Sequence, residues 1–116
     1  MSELMEAIRA GDRGALAAMV ADDVVFHSPT TTYEGRDQVV QLLALIGTVY
    51  EGMTSTREVE TVTFVKGHVG DEDLNGVLVE IKDDEGRITE ITLLLRPLAA
   101  LQTAVRQMAR ALAEGE

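Results

Sequence analysis

Several residue types are scarce or missing in this chain, and each absence excludes a class of function. The sequence has no cysteine, which excludes disulfides and thiolate chemistry. It has no tryptophan, two Phe and two Tyr residues, too few for a platform on which nucleic-acid bases stack. Its 10 basic residues are outnumbered by 20 acidic ones, giving a formal net charge of -10. Because nucleic acids and anionic membranes bind concentrated positive charge, we expect neither as a partner.

Long apolar runs are also missing. No window approaches the roughly 20 consecutive apolar residues that cross a bilayer. The first residues, MSELMEAIRAGD, lack the basic start and apolar stretch of a secretion signal, so we expect a cytoplasmic protein. The 116 residues suit one domain, spanning 1–116.

Motifs for metals and cofactors are missing as well. The two histidines, His27 and His68, form none of the H-x-x-x-H or H-E-x-x-H spacings of zinc sites. The glycines form no phosphate-binding loop followed by Lys-Ser or Lys-Thr. We therefore expect no metal and no cofactor.

The first part of the chain carries helical patterns. Apolar residues at helical spacing predict a helix over residues 2–9 and, after a break at Gly11-Asp12, a second helix ending near Val20. A short β-prone run, Val24–Phe26, stops before Pro29.

A stronger helix is predicted after Gly35. Its broad apolar face carries Val39, Leu42, Leu43, Ile46, Val49 and Tyr50. Gly47 lies inside this helix, where glycine costs about 1 kcal/mol relative to alanine. We expect another backbone or a ligand to approach closely there.

Strand patterns fill the second half of the chain. Residues 57–65 alternate as one strand, and residues 77–81 and 89–95 predict two more. The turn Asp83-Asp84-Glu85-Gly86 predicts a three-residue hairpin with Asp83 opposite Arg87.

Counting back from this turn predicts which residues share a face of the sheet. One face would carry Val77, Val79, Ile81, Ile91, Leu93 and Leu95. The other would carry Leu74, Leu78, Glu80, Glu90, Thr92, Leu94 and Arg96, with the two glutamates directly opposite each other. One further bulge would reverse this assignment.

Pro97 suits the first turn of a last helix. Its narrow apolar stripe, typical of a helix that packs on another, contains Leu98, Leu101, Val105, Met108 and Leu112. The order of elements predicts an α+β fold, in which a curved antiparallel sheet wraps around helices as a cone with an internal apolar pocket.

Four segments, AIRAGDRGAL, ADDVVFHSP, YEGRDQVVQLL and DDEGRITEITLLLRPL, occur in an order that resembles the SnoaL-like branch of the nuclear transport factor 2-like superfamily. The resemblance covers nearly the whole chain. It implies the cystatin-like cone of the ketosteroid isomerases, a deep apolar cavity, and a homodimer formed through the outer face of the sheet. The superfamily includes isomerases, polyketide cyclases, epoxide hydrolases, dehydratases and binding domains, so the fold does not decide the function.

The resemblance can be followed to the isomerase site. Those enzymes place an aspartate base immediately before the strand-ending proline, where this chain has Ser28. Their oxyanion-binding tyrosine and protonated aspartate match Leu4 and Leu78. A hydroxyl does not replace a carboxylate base without a partner that takes its proton, which argues against this isomerase chemistry.

Other candidates for chemistry come from the residues themselves. Adjacent strand residues point to opposite faces, so His27 and Ser28 do not form a nucleophile and base pair. The acid/base candidates are His27 and Glu80, the latter if the strand parity is reversed. The predicted pocket contacts are Ser28, Tyr33, Tyr50, Leu78, Ile91, Leu93 and Leu95.

The sequence leaves three functions open. The first is binding of a hydrophobic small molecule in an apolar pocket. The second is an enzyme on a hydrophobic substrate, of the isomerase, polyketide cyclase, dehydratase or epoxide hydrolase class, with Glu80 or His27 as acid/base. The third is a structural dimerisation domain that uses the stripe of the last helix.

Overall fold

The computed structural model describes residues 3–114, the side chain of residue 59 excepted. Within this range it contains four helices and six strands. The helices are α1 (Glu3–Ala10), α2 (Arg13–Met19), α3 (Arg36–Val49) and α4 (Leu98–Ala113). The strands are β1 (Val20–His27), β2 (Thr32–Glu34), β3 (Glu51–Val59), β4 (Val62–Val69), β5 (Glu72–Lys82) and β6 (Ile88–Arg96).

The first two helices follow the predicted pattern. Helix α1 buries Leu4, Met5 and Ile8, which lie one turn apart on one face. Gly11 then adopts a left-handed φ of 65°, and the Asp12 side chain accepts a hydrogen bond from the Ala15 N–H at 3.1 Å as the N-cap of α2. Both helices are confirmed, except that residue 2 lies outside the described range.

The six strands form one mixed sheet in the order β2-β1-β6-β5-β4-β3. Neighbouring strands are antiparallel except that β1 runs parallel to β6. Strands that follow each other from β3 to β6 pair as hairpins, whereas the β1–β6 pairing joins the two ends of the chain. This non-local pairing has no signal in the local sequence pattern.

The prediction of one strand over residues 57–65 is wrong. The chain turns at Glu60 and Thr61, so that β3 and β4 pair as a hairpin with residue 59 opposite Val62. Glu60 adopts a left-handed φ of 55°. Turns of this kind are normally marked by Gly, Asn or Asp, and their absence here makes the two strands appear continuous in the sequence.

The predicted turn between β5 and β6 is confirmed. The Asp83 N–H donates to the Arg87 carbonyl at 2.9 Å, and Gly86 adopts a φ of 83°. The Asp83 carboxylate also accepts hydrogen bonds from the Glu85 and Arg87 N–H groups at 2.9 and 3.0 Å.

The register that was counted back from this turn is wrong by one residue. Lys82 pairs with Ile88 but Ile81 pairs with Glu90, so Thr89 is the extra residue of a β-bulge. Beyond the bulge, Glu80 lies opposite Ile91 and Leu78 opposite Leu93. Glu80 and Glu90 therefore do not face each other.

The bulge decides which residues reach the core. The buried face of the β5–β6 hairpin carries Leu74, Leu78, Ile91 and Leu93, and the outer face carries Val77, Val79, Ile81, Thr92 and Leu94. Because paired residues of antiparallel strands project to the same side, Leu78 and Leu93 pack together inside. The sheet covers α3, whose buried residues include Val39, Leu43 and Ile46.

Gly47 allows α1 and α3 to pack closely. A Cβ atom at this position would lie 1.9 Å from the Ile8 carbonyl oxygen. The expected close approach of another backbone is therefore confirmed, and the backbone is that of α1.

Helix α4 lies against the sheet through small residues. Ala100 and Ala104 are buried, whereas Leu98, Val105 and Leu112 remain exposed. The Thr103 hydroxyl lies 2.5 Å from a carboxylate oxygen of Glu72 at the start of β5. None of the helices in the described part of the chain is long and apolar enough to cross a membrane.

Candidate functional site

A cavity of about 170 Å³ lies between α3, α4 and the end of β1. From α3 and the residue after it, Leu42, Ile46 and Tyr50 form one wall. Phe26 of β1 and Tyr33 of β2 form a second wall, with their rings stacked at 6.3 Å between centroids. These five side chains make the inner part of the cavity largely apolar.

Helix α4 closes the other side of the cavity. Leu101, Val105, Met108 and Leu112 from its apolar stripe contribute to the lining, as does Ala109. The stripe was predicted from its spacing as a seam that packs on another helix. In the structure α4 contacts α3, and the same spacing aligns these side chains along the cavity.

The polar group of interest inside is the Tyr50 hydroxyl. Tyr50 is only 5% exposed, and burial raises the pKa of its phenol to about 12. This hydroxyl has no hydrogen-bond partner among the described residues. Its oxygen is not completely buried, so part of its surface is open. Because Tyr50 lines the cavity, its hydroxyl can donate a hydrogen bond to a molecule there.

The Tyr33 phenol is half-buried, and no side chain or backbone group of the described chain hydrogen-bonds to it. It also lines the cavity. The cavity therefore combines apolar walls with two phenol groups, Tyr33 and Tyr50, and no carboxylate, amine or imidazole is present among the described lining residues.

Ser28 lines the cavity but is occupied by a turn. Its hydroxyl donates to the Thr31 carbonyl oxygen at 2.8 Å and accepts from the Thr31 N–H at 3.1 Å. The Thr30 N–H lies 3.3 Å from the same oxygen. A hydroxyl held by neighbouring backbone groups shapes the rim of the cavity rather than acting as a nucleophile.

The structure places His27 on the opposite side of the sheet from Ser28. Its Nε2 lies 2.7 Å from a carboxylate oxygen of Glu90, and its Nδ1 lies 3.2 Å from the Thr32 hydroxyl. The strand alternation that separated His27 from Ser28 in the sequence is confirmed. His27 was predicted as an acid/base candidate, but it does not line the cavity.

Glu80 lies on the core side of β5, next to Leu78 along the same face. This is the reversed parity under which the sequence made Glu80 an acid/base candidate. Its side chain is 16% exposed and lies 3.6 Å from the Lys82 ammonium group. It is not among the residues that line the cavity. The site thus contains neither of the two acid/base candidates.

The predicted pocket residues divide into two groups. Ser28, Tyr33 and Tyr50 come together at the cavity. Leu78, Ile91 and Leu93 are buried in the closed core, and Leu95 lines a separate depression on the sheet. The cavity lies nearer to α4 than predicted, because the core side of the hairpin is filled by its own side chains.

Within residues 3–114, no group of three or more His, Asp or Glu side chains is arranged to hold a metal ion. The family model of the SnoaL-like domain matches residues 1–89. The chain belongs to the SnoaL-like domain family. A comparison of this SnoaL-like chain with curated proteins finds no match.

Solved structures share the fold of this SnoaL-like chain. An uncharacterized protein with a cystatin-like fold from Silicibacter pomeroyi DSS-3 is 25% identical, with a TM-score of 0.91 over 97% of this chain and 84% of that one. A steroid delta-isomerase from Pseudomonas aeruginosa is 29% identical, with a TM-score of 0.87 over 94% of this chain and 85% of that one. An NTF-2 like protein of unknown function from Burkholderia xenovorans LB400, 17% identical, has a TM-score of 0.66 over 85% of each chain and shows the fold alone.

The positions compared with the isomerase site lie in the packed interior of this SnoaL-like chain. Leu4 and Leu78 are each 1% exposed, and neither lines the cavity. The two positions matched to the isomerases' oxyanion-binding residues are thus filled by packed apolar side chains and offer no space to a ligand.

Proposed function

We propose that this SnoaL-like chain binds a largely apolar molecule, and that the part of it inside the cavity between α3 and α4 is small and uncharged. The observation that carries the proposal is the Tyr50 hydroxyl, which lines an apolar cavity and has no hydrogen-bond partner among the described residues. A polar group kept in this position gains free energy when a ligand oxygen accepts its hydrogen bond.

The volume of the cavity limits the size of the ligand. Its volume of about 170 Å³ is close to that of an engineered cavity of about 150 Å³ that binds benzene. Pockets for drug-sized ligands start at roughly 300 Å³. The cavity therefore fits one ring or a short branched chain, and a four-ring steroid exceeds it.

Inside the cavity, the lining favours an uncharged group with an acceptor oxygen. An ionised group inside would have no charged partner among the described lining residues and would lose its hydration. A carbonyl oxygen placed near Tyr50 can accept a hydrogen bond from its phenol, which carries its proton at neutral pH. A small ketone combines both properties.

The enzymatic alternative lacks a supporting geometry. His27 lies on the outer face of the sheet and Glu80 is paired with Lys82, so neither acid/base candidate lines the cavity. The similarity to a steroid delta-isomerase supports the shared fold. With Ser28 held in a turn and leucine at positions 4 and 78, we propose binding rather than isomerisation.

The proposal can be tested by thermal unfolding with acetophenone, carvone and a four-ring steroid ketone. A ligand at 100 times its Kd stabilises the native state by about 2.7 kcal/mol, so we expect the two smaller ketones to raise Tm by several degrees. We expect little change with the steroid. No rise in Tm with any small ketone at saturating concentration would contradict the proposal.

A cavity-filling variant provides the matched control. Ala109 lines the cavity at the surface of α4, so Ala109→Phe should abolish the rise in Tm without disturbing the core. Ala113→Phe makes the same change at an exposed position of α4 outside the lining and should retain binding.

We also propose that two chains form a homodimer through the outer face of the sheet. Phe64, Val77 and Leu94 lie side by side across β4, β5 and β6, and the two end residues are 39% and 57% exposed. Exposed apolar residues in one row are typical of a surface that binds another protein. A two-fold axis would bring this row against its own copy.

The cytoplasmic location expected from the sequence remains a prediction, which fractionation of cells would test. A purely structural role, with the α4 stripe as partner surface, also remains a prediction, and the position of that stripe along the cavity does not favour it.

A further inference from the structure

The cavity continues outward along α4. A shallower depression beside it shares three of its lining residues, Thr30, Leu101 and Val105. Gln102 and Arg106 form its polar side. The cavity and the depression thus make one cleft between α4 and the loop after β1, which we call the α4 cleft.

The α4 cleft is apolar over most of its length. Leu98, which lines the outer part, is 67% exposed, and Val105, which lines both parts, is 40% exposed. A ligand confined to the inner cavity leaves Leu98 in water. A longer ligand that continues outward would cover it, which is favourable because apolar surface is removed from water.

The charge in the α4 cleft is positive. Arg106 is the one residue with a fixed charge among the described residues that line either part. One guanidinium nitrogen lies 3.2 Å from the Thr103 hydroxyl, and no carboxylate of residues 3–114 forms an ion pair with it. Since a guanidinium has five N–H donors, most of them remain available.

Only carboxylates close to Arg106 reduce this positive charge appreciably. The chain has a net charge of -10, but charges beyond the Debye length of about 8 Å are largely screened at physiological ionic strength. The Thr103 hydroxyl links Glu72 to Arg106, so this carboxylate lies within the Debye length and lowers the positive potential without forming an ion pair. A ligand carboxylate in the outer depression would meet the guanidinium directly.

We propose that the ligand is an amphipathic carboxylic acid whose apolar ring or chain fills the inner cavity and whose carboxylate binds Arg106. This inference rests on the proposed function and names its ligand class. The planar fork of a guanidinium matches the two oxygens of a carboxylate. The neutral ligand oxygen near Tyr50 and the carboxylate at Arg106 then occupy opposite ends of the α4 cleft.

Isothermal titration calorimetry of the full chain tests this with 4-phenylbutanoate and 4-phenylbutanamide. The two probes share a phenyl ring and a chain that fit the cavity and the depression, and they differ in charge. Because an ion pair at an exposed site contributes up to about 1 kcal/mol, we expect the acid to bind about fivefold more tightly. Raising the salt concentration should weaken binding of the acid and leave that of the amide unchanged.

Substitutions at Arg106 test whether its charge causes the tighter binding of the acid. Arg106→Gln should lower the affinity for the acid about fivefold and leave that for the amide unchanged, whereas Arg106→Lys should retain part of the preference. Arg110→Gln removes the same charge from the next turn of α4, outside the cleft lining, and should have no effect. Unchanged binding of the amide shows that each variant is folded.

The other possible results of these titrations would each disprove one of the two proposals or both. Equal affinity of the two probes, or an acid affinity that is unaffected by Arg106→Gln, would disprove the carboxylate site. If acetophenone still raises Tm in that case, the proposed cavity ligand stands and only the role of Arg106 is lost. If acetophenone and both probes fail to bind, both proposals are wrong.

Discussion

At the scale of single residues, Tyr50 combines burial with a phenol that has no hydrogen-bond partner among residues 3–114. Burial raises its pKa to about 12 from 10.0 because the phenolate would lose its hydration. Between these two values the unfolded chain releases the proton and the folded chain keeps it. Stability from Tyr50 is therefore full below pH 10 and is lost as the pH rises toward 12.

This predicts an alkaline loss of stability that depends on Tyr50. By pH 11 the free energy of unfolding should fall by about 1 kcal/mol through this group, and Tyr50→Phe should remove that part of the decrease. Urea unfolding at pH 8 and pH 11 measures it. Tyr33→Phe is the matched control and should retain the decrease, and an equal decrease in Tyr50→Phe would show that Tyr50 is not responsible.

At the scale of elements, the packing of α1 on α3 depends on the missing side chain at Gly47. Alanine at an ordinary helical position would be more favourable than glycine by up to about 1 kcal/mol. At Gly47 the added Cβ would lie 1.9 Å from the backbone oxygen of Ile8, so α1 must move away. Whether alanine at position 47 stabilises or destabilises the fold is therefore decided by the neighbouring helix α1.

Gly47→Ala is therefore expected to destabilise the fold by roughly 1–3 kcal/mol, the usual cost of overpacking. Gly14→Ala in α2 is the matched control, because its Cβ would meet the Asp12 carboxylate at an ordinary distance of 3.6 Å. That variant should be neutral or more stable by up to about 1 kcal/mol. Urea unfolding compares the two, and equal effects would contradict the close approach.

At the scale of the whole molecule, the outer face of the sheet carries apolar side chains that one chain leaves exposed. The row of Phe64, Val77 and Leu94 lies beside a second row that runs from Val79 through Thr92 to His27. The hydrogen bond between His27 and Glu90 thus lies beside the proposed dimer surface, and not in the cavity. The opposite face of the sheet is used for the core and the cavity.

Leu94→Asp is expected to convert the dimer to a monomer in sedimentation velocity runs over a dilution series, because a buried unpaired carboxylate is costly. Leu98→Asp adds the same charge at a similarly exposed leucine on α4 and should leave the dimer intact. Wild-type chain that sediments as a monomer at all concentrations would rule out this interface.

Local patterns in the sequence determined much of the fold. The spacing of Leu4, Met5 and Ile8, the cap at Asp12 and the hairpin at Asp83 involve residues a few positions apart, so each could be predicted without knowing the rest of the chain. The order of these elements was enough to predict the fold class and the family. For the candidate site, Tyr33 and Tyr50 were predicted from their place beside these elements, and Ser28 from the resemblance to the isomerase site.

Only the tertiary structure decided the register and the position of the cavity. The bulge at Thr89 reverses the parity of β6, and the turn at Glu60 divides one apparent strand, because each gains its energy from pairing across the sheet rather than from local residue preference. The parallel pairing of β1 with β6 brings His27 to Glu90, which is 63 positions away. Whether the α4 stripe is core or cavity lining depends on how far the helix stands from α3, and the spacing of its leucines is the same in both cases.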